Sequence, residues 1–258
     1  AYVEVQPLTV LGFWASYTFV QYFGTFNLFQ SFQSARSNYS DNEITRLGAG
    51  TTAAPGAKTN YLGNGTELTI GADFQIKVLD AIVVRSKARL IRPDMNLRAG
   101  DTVFYDQFYD VMAPNRGWYF VNDVDLLYQS ANKRFVGGAR YTQAFMFYDQ
   151  RHFASGEAQE NLNNLHRVGP FVGYTFKIDD GAAFNNPTAF ILIQWWLQNP
   201  NRTGTANNPD GITQALPLIG AGFQMTGDFL PVPKPAPRAE IPTLDEALSS
   251  SGQPVVAN

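Results

Sequence analysis

The feature that most constrains this chain is an alternation of apolar and polar residues sustained well past the length of an ordinary strand. From Thr66, the side chains Leu68, Ile70, Ala72, Phe74, Ile76 and Val78 alternate with Glu67, Thr69, Gly71, Asp73, Gln75 and Lys77. Successive side chains of a β-strand point to opposite faces, so this pattern predicts a strand with one greasy and one polar face; a helix would repeat every 3.6 residues. A turn at Leu79-Asp80-Ala81 leads to a second such segment, with Ile82, Val84, Ala88 and Leu90 on one face and Arg85, Lys87 and Arg89 on the other. The two read as a hairpin.

The same period recurs down the chain. Phe120, Val124 and Leu126 alternate with Asp123, Asp125 and Gln129; Phe135, Ala139, Tyr141 and Phe145 with Gly138, Arg140 and Thr142; Val168, Val172 and Tyr174 with Gly169, Gly173 and Thr175. Ile191, Ile193 and Trp195 then face away from Gln194, and Ile219, Ala221 and Phe223 from Gly220, Gly222 and Gln224. The stretch Leu8 to Phe29 carries no charge and is long enough to cross a bilayer as a helix. Its wealth of Thr, Tyr, Phe and Val, with polar Gln21, Thr25 and Asn27 at alternate positions, fits a strand better. Taking Tyr17–Phe32 as the first strand gives eight, and the fold class expected is all-β.

Composition removes several classes of function. The 258 residues are 45% hydrophobic and only 16% charged, enough for a large core or a membrane-facing surface. A mean hydropathy of −0.19 argues against a bundle of membrane helices. With no cysteine, disulfide frameworks, zinc–thiolate sites, iron–sulfur clusters and thiol nucleophiles are excluded. The net charge is −3 and the basic residues are scattered, so no nucleic-acid footprint exists.

Connections alternate in length. Those at about 33–65, 93–116, 150–165 and 200–214 are long, and those near 80, 132 and 183 are short. This plan resembles the small eight-stranded bacterial outer-membrane β-barrels of the OmpA and OmpX type, over about residues 17–230 and at the level of architecture. The resemblance implies an up-and-down antiparallel transmembrane β-barrel in contact with outer-membrane lipid and with both termini periplasmic. Residues 1–16 would then be an N-terminal periplasmic segment, 17–230 the barrel and 231–258 a Pro-rich periplasmic tail.

Alternation alone fits a soluble lipocalin-like barrel as well, with the faces reversed. Glycines on the polar face, at Gly71, Gly138, Gly169, Gly173, Gly220 and Gly222, favour a narrow polar interior, since a solvated surface gains nothing by losing side chains. Arg85, Lys87 and Arg89 share that face with Asp123, Asp125 and Arg140 on neighbouring strands, and an enclosed interior would hold them as a compensated charge network. Segments of a dozen residues exceed the usual five or six of globular strands. Aromatics near segment ends, Trp14, Tyr17, Phe29, Phe32, Trp118, Tyr128, Phe147 and Tyr148, suit interfacial girdles. Pro170 and Pro217, lacking N–H groups, should each mark a strand start or a bulge.

After Leu230 the run Pro231-Val232-Pro233-Lys234-Pro235-Ala236-Pro237 is expected as extended polyproline II. Thr243-Leu244-Asp245-Glu246 follows the capping-box pattern, opening a short helix with Leu244 and Leu248 on one face and Ile241 just before it. A helix so short forms only on a partner, so Ile241, Leu244 and Leu248 are the candidate docking residues for a periplasmic or outer-membrane protein. For chemistry, Asp149, His152 and Ser155 recur at a spacing of three in one loop and could supply orienter, base and nucleophile, as in a lipid acyltransferase or deacylase at the barrel rim. A solvated loop explains them better. Asp106 and Asp110, or Asp179 and Asp180, offer oxygen ligands without a complete metal-binding motif, and no metal or cofactor is assigned. The function expected is a non-enzymatic membrane anchor or scaffold in an envelope assembly; the rim enzyme and the soluble ligand-binding barrel are the alternatives.

Overall fold

The alternating segments form one antiparallel sheet in the computed structural model, which describes residues 1–22, 29–40, 43–44, 61–176, 184–200 and 216–227. The strands are β1 (Tyr2–Leu8), β2 (Leu11–Tyr22), β3 (Ser31–Phe32), β4 (Gly63–Leu79), β5 (Ile82–Met95), β6 (Val103–Asp106), β7 (Val111–Pro114), β8 (Trp118–Gln129), β9 (Phe135–Phe147), β10 (Leu165–Thr175), β11 (Phe184–Gln198) and β12 (Leu218–Gly227). Nine of them make the main sheet, in the order β1-β2-β4-β5-β8-β9-β10-β11-β12, and β3, β6 and β7 make a separate small sheet.

Three expectations need correction. The sheet has nine strands and not eight, because residues 1–16 lie within it: β1 folds back on the first half of β2, from Tyr2 opposite Ser16 to Leu8 opposite Leu11. The reversal at Thr9-Val10 has no Gly, Asn or Pro to mark it in the sequence. Secondly, β1 and β12 are not paired with each other among the described residues, so the observed form is a curled sheet with two edges and not a closed barrel. The curl is deep all the same, since Gln75 of β4 and Gln224 of β12 line one pocket together with side chains of the strands between them. Thirdly, Pro170 lies inside β10 without a register shift. Pairing with β11 passes from Val168–Trp195 to Phe171–Leu192 and skips Gly169 and Pro170, where the ladder lacks a donor. Pro217 directly precedes β12, at a strand start. Leu11–Tyr22 is strand, and no described helix is long and apolar enough to cross a membrane.

The two faces divide cleanly. Ile70 is 48% exposed and Ile219 68%, on the convex side, whereas Asp125 is fully buried on the concave side. The glycines of the concave face do different jobs. A Cβ on Gly71 would lie within the Trp14 ring and one on Gly222 within the Phe190 ring, so these two make room for aromatics. On Gly138 it would meet the Leu126 carbonyl and on Gly169 the Ile193 carbonyl, so there adjacent strands approach too closely for any side chain. A Cβ on Gly173 or Gly220 would meet its neighbours at ordinary van der Waals distance, 3.8 and 4.0 Å.

The connection 93–116 is not a plain loop. β5 runs on to Met95, and β6 and β7 form a hairpin that pairs with β3 in the mouth of the curled sheet. Phe104, Val111 and Met112 are buried there against inward residues near the strand ends, including Ile91, Val121 and Met146. Three expected girdle aromatics, Phe29, Phe32 and Tyr148, belong to this core, and Trp14 faces inward on Gly71. Tyr17, Tyr128 and Phe147 are exposed on the convex side.

Replacing Gly169 by alanine should push β10 and β11 apart, at about 1–3 kcal/mol, the usual cost of overpacking. Gly220→Ala, with its nearest neighbour 4.0 Å away, should be close to neutral. Urea unfolding midpoints of the two variants test the contrast.

Candidate functional site

Strand register builds the centre of the concave face. Arg85, Asp125 and Arg140 stand directly opposite one another on β5, β8 and β9. Both Arg85 Nε and Nη2 donate to Asp125 Oδ2, at 2.8 and 2.6 Å, and Arg140 donates from Nε to Oδ1 at 2.7 Å and from Nη2 to Oδ2 at 3.0 Å. The buried carboxylate thus accepts four charge-assisted bonds, three at Oδ2 and one at Oδ1, and only Arg140 grips both oxygens as a fork, the geometry that repays desolvation best. One row away, Arg89 reaches Asp123 Oδ2 at 3.3 Å while Thr142 donates to Oδ1 at 2.7 Å, and Gln194 Nε2 donates to Thr142 at 3.0 Å. Lys87 is not brought in. It stands opposite Asp123 in register but makes no ion pair among the described residues, and borders a pocket with Glu4 and Asp73.

This charge layer separates two cavities. On the turn side a pocket of 260 Å³ is walled by Val83, Leu127, Phe171 and Phe190 with Gln75, Gln129 and Gln224 at its margins. On the loop side one of 440 Å³ lies beneath the β6–β7 hairpin, between Glu67, Arg89 and Asp123 on the wall and Asp106 and Tyr109 on the hairpin.

The hairpin is tied down by its aspartates. Asp106 accepts from Tyr119 Oη at 2.8 Å and from the Phe108 amide at 2.9 Å; Asp110 accepts from Tyr105 Oη at 2.9 Å and from Trp196 Nε1 at 3.0 Å. The bonds with Tyr119 and Trp196 tie the hairpin to the main sheet and those with Phe108 and Tyr105 lie within it; among the described residues no group of three or more His, Cys, Asp or Glu is arranged to hold a metal. Burial pushes Asp106 up to about 6, against the pull of its hydrogen bonds with Tyr119 and Phe108. Burial likewise raises Tyr109 to about 12.

Asp149, His152 and Ser155 do not assemble a triad. His152 is buried; its Nδ1 accepts the Asp149 amide at 2.9 Å, which leaves the proton on Nε2, 3.0 Å from the Asn115 carbonyl. Asp149 pairs instead with Arg151 at 2.9 Å, and Ser155 is exposed without a bond to the imidazole. Burial lowers the His152 pKa, as suits a neutral ring that pins the 149–153 turn to the β7–β8 corner. Asp179, Asp180, Ile241, Leu244 and Leu248 lie outside the described residues.

Comparison with family models, curated proteins and solved structures finds no match to this chain.

Asp125→Ala leaves two half-buried guanidinium groups without their acceptor and should destabilise by about 3 kcal/mol, the lower end of the usual cost of breaking a buried ion pair. Lys87→Met should change the unfolding free energy, read from the same urea transition, by less than about 0.5 kcal/mol. Because Asp106 holds its proton more tightly docked than free, its contribution to docking of the hairpin is fully present below pH 3.8, is lost as pH rises to about 6 and is flat above. Amide exchange of residues 103–114, corrected for intrinsic rates, should show this slope, and Asp106→Asn, which keeps an acceptor for Tyr119, should remove it.

Proposed function

We propose that this chain is an outer-membrane β-barrel with an occluded interior, serving as a non-enzymatic anchor or scaffold in an envelope assembly. The observation that carries the reading is the inversion of the two faces. From β2 through β12 the outward positions carry no charged residue except Arg92 and Asp94 near the loopward end of β5, while the ion pairs turn inward. A monomer in water rarely exposes a contiguous apolar patch beyond a few hundred Å². Here Phe13, Phe74, Leu126, Val172, Ile191 and Phe223, all exposed, lie on successive or nearby strands around the sheet. Lipid is the solvent that suits such a belt, and the alternation of apolar-out with polar-in is the pattern of membrane strands. A soluble lipocalin-like barrel needs the opposite arrangement.

The occluded interior supports an anchor over a pore. The β6–β7 hairpin fills one mouth, and the Arg85–Asp125–Arg140 cluster stands midway along the inner wall formed by β5, β8 and β9. A rim enzyme would need His152 free to take a proton, whereas its ring is buried and engaged at both nitrogens. The scaffold role itself draws on the Pro-rich sequence after Leu230, which would present Ile241, Leu244 and Leu248 to a periplasmic or outer-membrane partner.

Expressed in a bacterium with an outer membrane, the protein should resist carbonate extraction, migrate faster unheated than boiled, and show no large stable conductance in planar bilayers. Release by carbonate would overturn the membrane assignment, and open channels of nanosiemens size would overturn occlusion. Deleting residues 231–258 should leave insertion intact and lose co-purifying protein; retention of every partner by the truncated chain defeats the docking role.

A further inference from the structure

The convex face has polar side chains at a few mid-strand positions, and these are not scattered. Ser86 stands third in the outward series Ile82, Val84, Ser86, Ala88, Leu90 of β5. Asn122 is third of the six outward residues of β8, between Trp118 at the loopward end and Tyr128 at the turn. Gln143 and His166 continue the row, since Ala88 is opposite Asn122, Asn122 opposite Gln143, and Gln143 opposite His166. Four adjacent strands thus share one polar stripe, whose Ser86 and Asn122 lie midway along the apolar face.

The two ends of the stripe are satisfied within the chain. Ser86 donates to Asn122 Oδ1 at 2.9 Å, and Tyr141 Oη lies 2.6 Å from His166 Nδ1. Its centre is not: among the described residues nothing bonds the Gln143 amide or the Asn122 amide nitrogen. In hydrocarbon an unpaired amide is costly, and at mid-strand depth neither side chain has water to turn to. The ground nearby is low at Ala139 on β9 and at Pro170 opposite it on β10, while the Phe135 ring covers Gly137, so another backbone can come close at the Ala139–Pro170 pair.

We infer that this face, centred on Asn122 and Gln143, packs against a second copy of this chain across a two-fold axis along the membrane normal. The inference rests on the membrane reading above. A like partner is selected by the chemistry of the stripe: it carries no formal charge to choose an unlike surface, and a carboxamide is donor and acceptor at once. Placed against its own image, each amide finds its complement, which is the condition a two-fold interface imposes.

The chain has no cysteine, so one introduced thiol reports one position. In liposomes of bacterial phospholipid, Gln143→Cys should give disulfide-linked dimers on oxidation, and Phe223→Cys, on β12 beyond this face, should not. The double variant Asn122→Leu/Gln143→Leu should weaken dimerisation at least tenfold, read by energy transfer between labelled copies, with heat-modifiable mobility confirming that the fold is kept. Carbonate resistance is measured on the same liposomes. Inserted protein that is monomeric, that dimerises equally well with both leucines, or that cross-links through Phe223→Cys and not Gln143→Cys overturns this interface and leaves the membrane reading standing. Protein that never inserts overturns the membrane reading and this interface with it.

Discussion

The rest of the structure depends on how charge is tolerated on the inside of a tightly curled sheet. Asp125 sits fully buried between two arginines from the flanking strands, each engaged through more than one hydrogen bond. Because the three residues are directly opposite in register, the contact exists only if β5, β8 and β9 are aligned as they are. A slip of one residue would turn every side chain of the slipped strand to the other face and strand the charges among apolar groups. The ion pairs therefore specify alignment, and the apolar belt outside follows from the same alternation.

The concave face is not polar along its whole length. Toward the loop end its residues become Ile91, Val121, Ala144 and Met146, and the β6–β7 hairpin with β3 closes over them. The molecule thus has a conventional hydrophobic core, placed at one mouth of the sheet and not at its centre. Stability is shared between packing at that end and ion pairing in the middle, while the turn-side pocket is left unfilled.

Much of this is legible in the sequence. The long alternating segments, the hairpin at Leu79–Ile82 and the sharing of one face by Arg85, Asp125 and Arg140 all follow from a period of two, which does not depend on distant contacts. What escapes is what only tertiary packing decides. Val103-Phe104-Tyr105-Asp106 and Val111-Met112-Ala113-Pro114 are too short to stand out from a long loop, and their burial arises from a mouth formed by strands distant in sequence. Phe29, Phe32 and Tyr148 have the composition of a girdle and the location of a core. Lys87 shares the face of the charge network yet makes no ion pair with its members, and the opposing Asp123 is bonded by Arg89 and Thr142. The spacing of Asp149, His152 and Ser155 suggests a triad only because sequence does not display that the imidazole is enclosed.

The short first strand has a further consequence. An odd number of strands, each antiparallel to the last, begins and ends in the same direction, so β1 and β12 both run toward the turn end. Joining these two edges directly makes a seam of parallel hydrogen bonds in an otherwise antiparallel sheet. Peeling Tyr2–Leu8 away would instead offer β12 the antiparallel edge of β2. Residues 1–8 thus occupy, along half its length, the one edge through which the remaining eight strands would join as an even-numbered cylinder.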